Sequence, residues 1–126
     1  MPYNFFKEFK KACRDKTENV FPINNVLRDA KKYFKLHTKK DLLGFIKNNG
    51  LENLVHVNVN LWHDGPGEEV YDYHFTSMNI LGYIAIVKAK KTGNWLIKSF
   101  HPDTNSGNKT KNTFQKQKSL GYRRIS

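Results

Sequence analysis

The chain has 126 residues, 38% hydrophobic and 13% aromatic, which is enough for one domain with a single core and excludes a disordered chain. Lys and Arg number 22 against 11 Asp and Glu, and this net charge of +11 predicts an anionic partner: nucleic acid first, then a membrane surface or an acidic protein. The single cysteine excludes an internal disulfide, and without a signal peptide or a membrane-length apolar run we expect a cytoplasmic protein with no membrane partner.

The first 50 residues contain three segments with helical periodicity. In the first segment, hydrophobic residues are separated by lysines at helical spacing, at Phe5, Phe6, Phe9, Ala12 and Cys13. The second segment starts near Pro22, and its apolar stripe consists of Val26, Leu27, Ala30 and Phe34. The third begins at the N-cap Thr38 and ends at Gly50, with a predicted buried face of Leu42, Leu43, Phe45 and Ile46. These patterns predict a helical half over residues 1–50.

Between residues 53 and 101 the hydrophobic period changes from about 3.6 to about 2, which predicts an antiparallel sheet. The predicted strands are LVHVNVNLW, EVYDYHF, ILGYIAIVKAK and NWLIKSFH, and the segments HDGPGEE and KTGN supply turns. The dry face of the first strand is predicted to consist of Val55, Val57, Val59 and Leu61. The opposite, exposed face of the sheet is predicted to carry His56, Asn58, Asn60, Trp62 and His74.

The two halves together predict a single α+β domain over residues 1–126, with N-terminal helices packed on one face of a roughly four-stranded antiparallel sheet. Residues 102–126 are predicted to be a basic polar tail, which has no acid after Asp103. An exposed sheet face with imidazoles and aromatics can stack on single-stranded RNA while basic side chains pair with its phosphates. The predicted nucleic-acid-binding residues are therefore His56, Trp62, Lys109, Lys111, Lys116, Lys118, Arg123 and Arg124.

Two histidines at strand ends, His74 and His101, predict acid–base chemistry on this sheet. Imidazoles exchange protons near neutral pH, so a pair can cleave RNA by deprotonating a 2′-OH and protonating the leaving 5′ oxygen. Lys98 is predicted to stabilise the charge that develops on phosphorus, and Ser99 and Thr104 to hydrogen-bond a phosphate oxygen. Strand alternation puts Lys98 on the face opposite His101, so a strand end or a bulge is needed to bring them together. We expect no metal and no cofactor in this reaction.

The late strand WLIKSFHPDT resembles a known family through Trp95, Lys98, Ser99, His101 and Thr104. Together with the order of helices before an antiparallel sheet, it is similar to the small metal-independent ribonucleases of the barnase, EndoU and RelE-like superfamily. That superfamily includes phage-encoded and contact-dependent toxin domains, and the resemblance covers residues 23–105. It implies an endoribonuclease acting in the cytoplasm, its own or that of a target cell, with an acidic immunity or antitoxin protein as a candidate partner.

Three other functions stay open on the sequence. A non-catalytic nucleic-acid-binding module would use the basic residues and the aromatics Trp62, Tyr71, Tyr73 and Trp95. A phage-type inhibitor would bind an acidic protein through its positive charge. A metal site would draw on residues whose spacing matches no zinc motif, namely His63, Asp64, Glu68 and Glu69. The absence of a Walker loop, GxSxG, HExxH and a Rossmann fingerprint argues against a nucleotide hydrolase, a serine esterase and a zincin.

Overall fold

Helices come first in the chain and most of the strands follow. The structure is a computed structural model that describes residues 2–61 and 68–103. Within those ranges the helices are α1 (Pro2–Asp15), α2 (Val26–Phe34) and α3 (Lys39–Lys47), with a 3₁₀ turn at Thr17–Asn19. The strands are β1 (Val20–Pro22), β2 (Glu52–Leu61), β3 (Glu69–Ser77), β4 (Ile80–Lys88) and β5 (Trp95–Pro102). No helix in the two described ranges has the length and apolar character needed to cross a membrane.

The strands form one sheet in the order β1-β5-β4-β3-β2. Neighbouring strands from β2 to β5 are antiparallel, as the pattern of residues 53–101 predicted. The predicted strand number of four was wrong, because β1 lies inside the predicted helical half and pairs in parallel with β5. A strand of three residues is too short to reveal a period of about 2, so the pattern did not indicate it. The fold is therefore α+β with a mixed sheet.

Aromatic contacts hold the helices against one face of the sheet. Phe5 of α1 stacks on Tyr71 of β3, with ring centroids 3.8 Å apart. Phe34 of α2 and Phe45 of α3 both contact Phe100 of β5, at centroid distances of 4.7 and 6.4 Å. We call this helix-covered side of the sheet the inner face, and its fully buried residues include Tyr73, Phe75, Ile84, Ile97 and Phe100. The prediction that helices pack on one face of the sheet is confirmed.

The start of α3 is encoded by the signals that the sequence displays. Thr38 Oγ1 accepts a hydrogen bond from the backbone N–H of Asp41 at 3.0 Å, and Asp41 Oδ2 accepts from the backbone N–H of His37 at 3.1 Å. The first bond satisfies an N–H group that the first turn of the helix leaves open, and the second ties down the residue before the N-cap. Of the apolar stripe predicted for α2, Leu27 is 38% exposed, and the buried residues are Val26, Ala30 and Phe34.

The edge strand β2 departs from the predicted alternation at two points. Its register against β3 shifts between Glu52 and Val55 and again between His56 and Asn58, and each shift inserts one extra residue. Side chains alternate along a strand, so an extra residue moves all those that follow it to the opposite face. The predicted separation of β2 into one dry and one polar face is therefore wrong.

The consequences for β2 are visible in where its side chains lie. His56 sits on the inner side, 5.4 Å from the ring of Tyr73, whereas Asn58 pairs with Asp72 on the other side of the sheet. The predicted dry residues are 39–65% exposed; they are Val55, Val57, Val59 and Leu61. Val55 pairs with His74 and so lies on the side away from the helices, and the aromatic contacts of the helices are with β3 and β5 and not with this edge.

Candidate active site

The side of the sheet opposite the helices, which we call the outer face, carries both histidines predicted for acid–base chemistry. Strand register pairs His74 with Tyr83 and Tyr83 with His101, so the three form one row across β3, β4 and β5. The Tyr83 ring centroid lies 6.1 Å from that of His74 and 5.2 Å from that of His101. Adjacent strands are about 4.8 Å apart, so the two histidine Cα atoms are separated by about 10 Å. We call these three residues the histidine row.

A buried carboxylate holds one end of the histidine row. Asp103 Oδ2 lies 2.8 Å from His74 Nε2, and the Asp103 side chain is 8% exposed against 27% for His74. The backbone N–H of Asp103 donates to the carbonyl of Leu81 at 2.9 Å, which extends the pairing of β5 with β4 by one residue and fixes the acid in place. A carboxylate accepts at Nε2, so the proton of neutral His74 lies there. Nδ1, which has no hydrogen-bond partner among the described residues, is left with a free lone pair.

The histidine at the other end of the row is oriented by its own strand. His101 Nδ1 lies 2.7 Å from the carbonyl oxygen of Pro102, and a carbonyl can only accept, so Nδ1 donates this hydrogen bond. The ring is half-buried, and its Nε2 contacts no described hydrogen-bonding group. When the imidazole of His101 is protonated, it therefore presents one N–H for donation to a ligand.

A β-bulge in β5 brings the predicted cation to the outer face. β5 contains one extra residue relative to β4, and that residue is Lys98, between the paired residues Ile97 and Ser99. Ser99 lies on the same face as His101 by the register, and the positive charge of Lys98 acts on the carboxyl of Asp72 on that face. The bulge thus supplies the geometry that simple alternation denied to Lys98 and His101.

Asp72 is the second acid of the outer face and is 7% exposed. Burial raises the pKa of its carboxyl, and the Tyr83 hydroxyl and the Lys98 charge only partly oppose that shift. Asp72 Oδ2 accepts from Asn60 Nδ2 at 3.3 Å, while Oδ1 is buried without a hydrogen-bond partner among the described residues. Burial and the neighbouring Asp72 in turn raise the pKa of the Tyr83 phenol, so this hydroxyl stays protonated at neutral pH.

The predicted catalytic residues are thus mostly on one surface. The outer face brings together His74, His101, Lys98 and Ser99, whereas Thr104 lies outside the described residues. The sequence analysis did not select Asp72, Tyr83 or Asp103, although a signal for the two acids was present. Asp72 precedes His74 by two residues and Asp103 follows His101 by two, and residues two apart on a strand share a face.

Of the predicted nucleic-acid-binding set, only His56 lies within the described residues. His56 was placed on the wrong face, since the bulge beside it turns it toward the inner side. The remaining members lie outside the described residues, and they are Trp62, Lys109, Lys111, Lys116, Lys118, Arg123 and Arg124.

Three aromatics assigned to base stacking in the binding-module alternative belong to the core instead. Tyr73 is fully buried and Trp95 is 5% exposed, and Tyr71 is stacked against Phe5 of α1. They occupy the alternate positions of β3 and β5 whose side chains point to the inner face, so they pack under the helices. Stacking on RNA by Tyr73 and Trp95 is therefore wrong for this fold, whereas Tyr71 is half-buried with one face of its ring against Phe5.

Positive charge is distributed unevenly between the two layers. Residues 2–50, which contain all three helices, carry twelve Lys and Arg against five Asp and Glu. Residues 51–103, which contain β2 to β5, carry four Lys and Arg against six Asp and Glu. The expectation that basic side chains gather beside the exposed sheet face therefore fails for the described part of the chain, where most of them belong to the helical half.

Two of the four residues weighed for a metal site can be located. Glu68 is buried, and its Oε2 accepts from the backbone N–H of Lys90 at 3.4 Å, whereas Glu69 is exposed. His63 and Asp64 lie outside the described residues. Within residues 2–61 and 68–103, no three His, Cys, Asp or Glu side chains are grouped so that they could hold a metal ion.

Comparisons with known proteins add no family to this geometry. No protein-family model, curated protein or solved structure matches the chain.

Proposed function

We propose that the chain is a small endoribonuclease that cleaves RNA without a metal, by attack of the 2′-OH on the adjacent phosphodiester. One observation carries the proposal: the histidine row has an imidazole at each end, and one of them is held by a buried carboxylate. A base and an acid on the same rigid sheet face are the minimum equipment for this reaction. The resemblance of the late strand to small metal-independent ribonucleases points to the same chemistry.

In the proposed reaction, His74 Nδ1 takes the proton of the 2′-OH while Asp103 keeps the ring oriented through Nε2. The 2′ oxygen forms a bond to phosphorus, and the bond from phosphorus to the 5′ oxygen breaks. Protonated His101 gives its Nε2 proton to that leaving oxygen, and its Nδ1–H stays bonded to the carbonyl of Pro102. The products are a 2′,3′-cyclic phosphate and a 5′-OH end. Lys98 stabilises the negative charge that develops on the phosphoryl oxygens.

The spacing of the row supports these roles. A base and an acid must each come within about 3 Å of their oxygens, and those oxygens stand on opposite sides of phosphorus in an in-line attack. Two imidazoles whose Cα atoms are two strands apart, about 10 Å, can approach a phosphodiester from both sides. The Tyr83 ring fills the space between them and contacts both rings.

The test is cleavage of a short RNA by the purified chain, with and without EDTA, with identification of the product ends. We expect activity in EDTA and a cyclic phosphate product, and no cleavage at a linkage whose 2′-OH is replaced by hydrogen. His74→Ala and His101→Ala are each expected to lower kcat by about 10²-fold or more.

His37→Ala is the matched control, because its exposed imidazole lies before α3 and only its backbone is used there. Asp103→Asn should lower kcat with little change in KM, since Asp103 positions His74 without contacting substrate. Circular dichroism establishes that each variant is folded. Activity that needs a divalent metal, or that survives in both folded His74 and His101 variants, would refute the proposal.

A further inference from the structure

A groove of about 570 Å³ lies between α1 and α3, on the helical layer and away from the histidine row. Its floor is formed by Cys13, Leu43 and Gly44, and its α3 side carries Lys39, Lys40 and Lys47. We call it the α1–α3 groove. Its volume falls in the range of sites that hold small organic ligands, about 300–1,000 Å³.

The floor of the groove is neutral and apolar. Cys13 and Leu43 are buried, and burial raises the pKa of the Cys13 thiol to about 12, so no negative charge forms there at neutral pH. Gly44 adds space, because a Cβ at this position would meet no atom within 4 Å. An apolar floor can accept the face of a nucleobase without selecting its sequence.

The rim of the groove is basic. Lys39, Lys40 and Lys47 have no ion-pair partner among the described residues. Among the described residues that line the groove, the acidic one is Glu18, which lies on the opposite wall. Lys39 and Lys40 stand in the first turn of α3, where the helix dipole is already positive. Seven residues separate Lys40 from Lys47, which is about 10 Å along a helix, close to three stacked nucleotides at about 3.4 Å each. A row of phosphates would relieve this accumulated positive charge.

We propose that the α1–α3 groove binds single-stranded RNA, with phosphates on Lys39, Lys40 and Lys47 and a base against the floor. The basic rim of the groove is complementary to the negatively charged phosphates of RNA. A membrane is disfavoured as the partner, because the apolar residues lie at the floor of the groove and membrane binding needs apolar groups that protrude into the bilayer. This inference takes RNA as the ligand from the proposed function. Binding in the groove itself does not involve the residues of the histidine row.

The test is equilibrium binding of a fluorescent single-stranded thymidine oligodeoxynucleotide of about a dozen residues to the full chain, followed by anisotropy. This probe lacks the 2′-OH, so binding is measured whether or not the chain cleaves RNA. The triple variant Lys39→Gln, Lys40→Gln, Lys47→Gln should bind about tenfold more weakly, and the slope of log K against log salt should fall by about 2. The control variant Lys31→Gln, Lys32→Gln, Lys35→Gln removes the same charge from α2 and the residue that follows it, and should change affinity by less than about threefold.

A second variant separates the groove from its charge. Gly44→Phe keeps all three lysines and fills the floor, and it should weaken binding of the same probe by about tenfold while the chain stays folded. Equal losses in the two lysine triples, or full affinity in folded Gly44→Phe, would overturn the proposal. So would unchanged oligonucleotide binding in the groove triple together with lost binding to phosphatidylserine vesicles.

RNA cleavage measured on the same variants distinguishes the two proposals from each other. Loss of cleavage in His74→Ala with oligonucleotide binding intact leaves the groove standing. If every groove variant binds the oligonucleotide normally and His74→Ala still abolishes cleavage, the groove proposal is refuted and the proposed reaction stands.

Discussion

Replacing Asp72 by Asn is expected to stabilise the folded chain at neutral pH. The Asp72 carboxyl is 7% exposed, its Oδ1 has no hydrogen-bond partner among the described residues, and burial raises its pKa. A raised pKa means that the folded state favours the neutral form of the acid, and Asn has the shape of that neutral form. The amide oxygen can still accept from Asn60 Nδ2, as Oδ2 does in the parent chain at 3.3 Å.

The size of the effect follows from the unpartnered oxygen. A buried charged acceptor without a partner costs about 1–3 kcal/mol, and the amide that replaces it still leaves one neutral polar group unpaired, which retains about 1 kcal/mol of that cost. We therefore expect a net gain of about 1 kcal/mol in the free energy of unfolding at pH 7. For a chain of this length that gain raises Tm by about 4 °C.

The pH dependence gives the prediction its sign. The cost of ionising Asp72 is absent below 3.8, the ordinary pKa of an aspartate, and it appears as pH rises through the higher pKa of the folded state. Thermal unfolding followed by circular dichroism should show the advantage of Asp72→Asn at pH 7, shrinking as pH falls toward 3.8. Glu52→Gln is the control, because it removes one negative charge from an exposed position on β2. A lower Tm for Asp72→Asn at pH 7, or an advantage that is the same at both pH values, would refute the reasoning.

Three further substitutions test the packing by thermal unfolding. Gly44→Ala should stabilise by about 0.5–1 kcal/mol, because a Cβ there meets nothing within 4 Å and Gly is a poor residue inside a helix; an unchanged or lower Tm contradicts this. Gly82→Ala should destabilise by about 1–3 kcal/mol, since its Cβ would overlap the buried ring of Phe75, and a neutral result would mean that this ring can move. Thr38→Ala should cost about 1 kcal/mol through loss of the hydrogen bond from Asp41 N–H, whereas Thr38→Ser should retain most of it.

The helices and the antiparallel strands were predictable because local signals specify them. The Thr38 cap and the hydrophobic stripe of α3 lie within a dozen residues of one another, and the structure contains both. The hairpin from β4 to β5 is likewise marked by Gly93, which has a φ of 76° in its turn. Such features are determined by residues close together in the sequence, so they can be predicted from one sequence.

The bulges and β1 were not predictable, because distant partners define them. The alternating sequence of β2 gives no sign of where the strand will hold an extra residue against its neighbour, and those insertions decide whether His56 points inward or outward. The same uncertainty affected Lys98, whose position relative to His101 depends on the register of β5 against β4. The prediction that both histidines stand at strand ends holds for His101 and was wrong for His74, which lies three residues inside the end of β3. The contact of Asp103 with His74 depends on the pairing of β3, β4 and β5, which the sequence does not display.

The distribution of charge determines how the candidate site can receive a phosphate. Each acid on the outer face is opposed by a base: Asp103 is bonded to His74, and the charge of Lys98 acts on Asp72. Under the proposed function His74 is neutral and Asp103 keeps its negative charge, so Lys98 and protonated His101 together only balance Asp72 and Asp103. A phosphodiester would then gain most at the His101 end of the row, where the leaving oxygen needs its proton. The large net charge then has a separate task. Most of its described part lies in residues 2–50, and under the proposed function it would raise the rate of encounter with RNA while leaving the local balance of the sheet face unchanged.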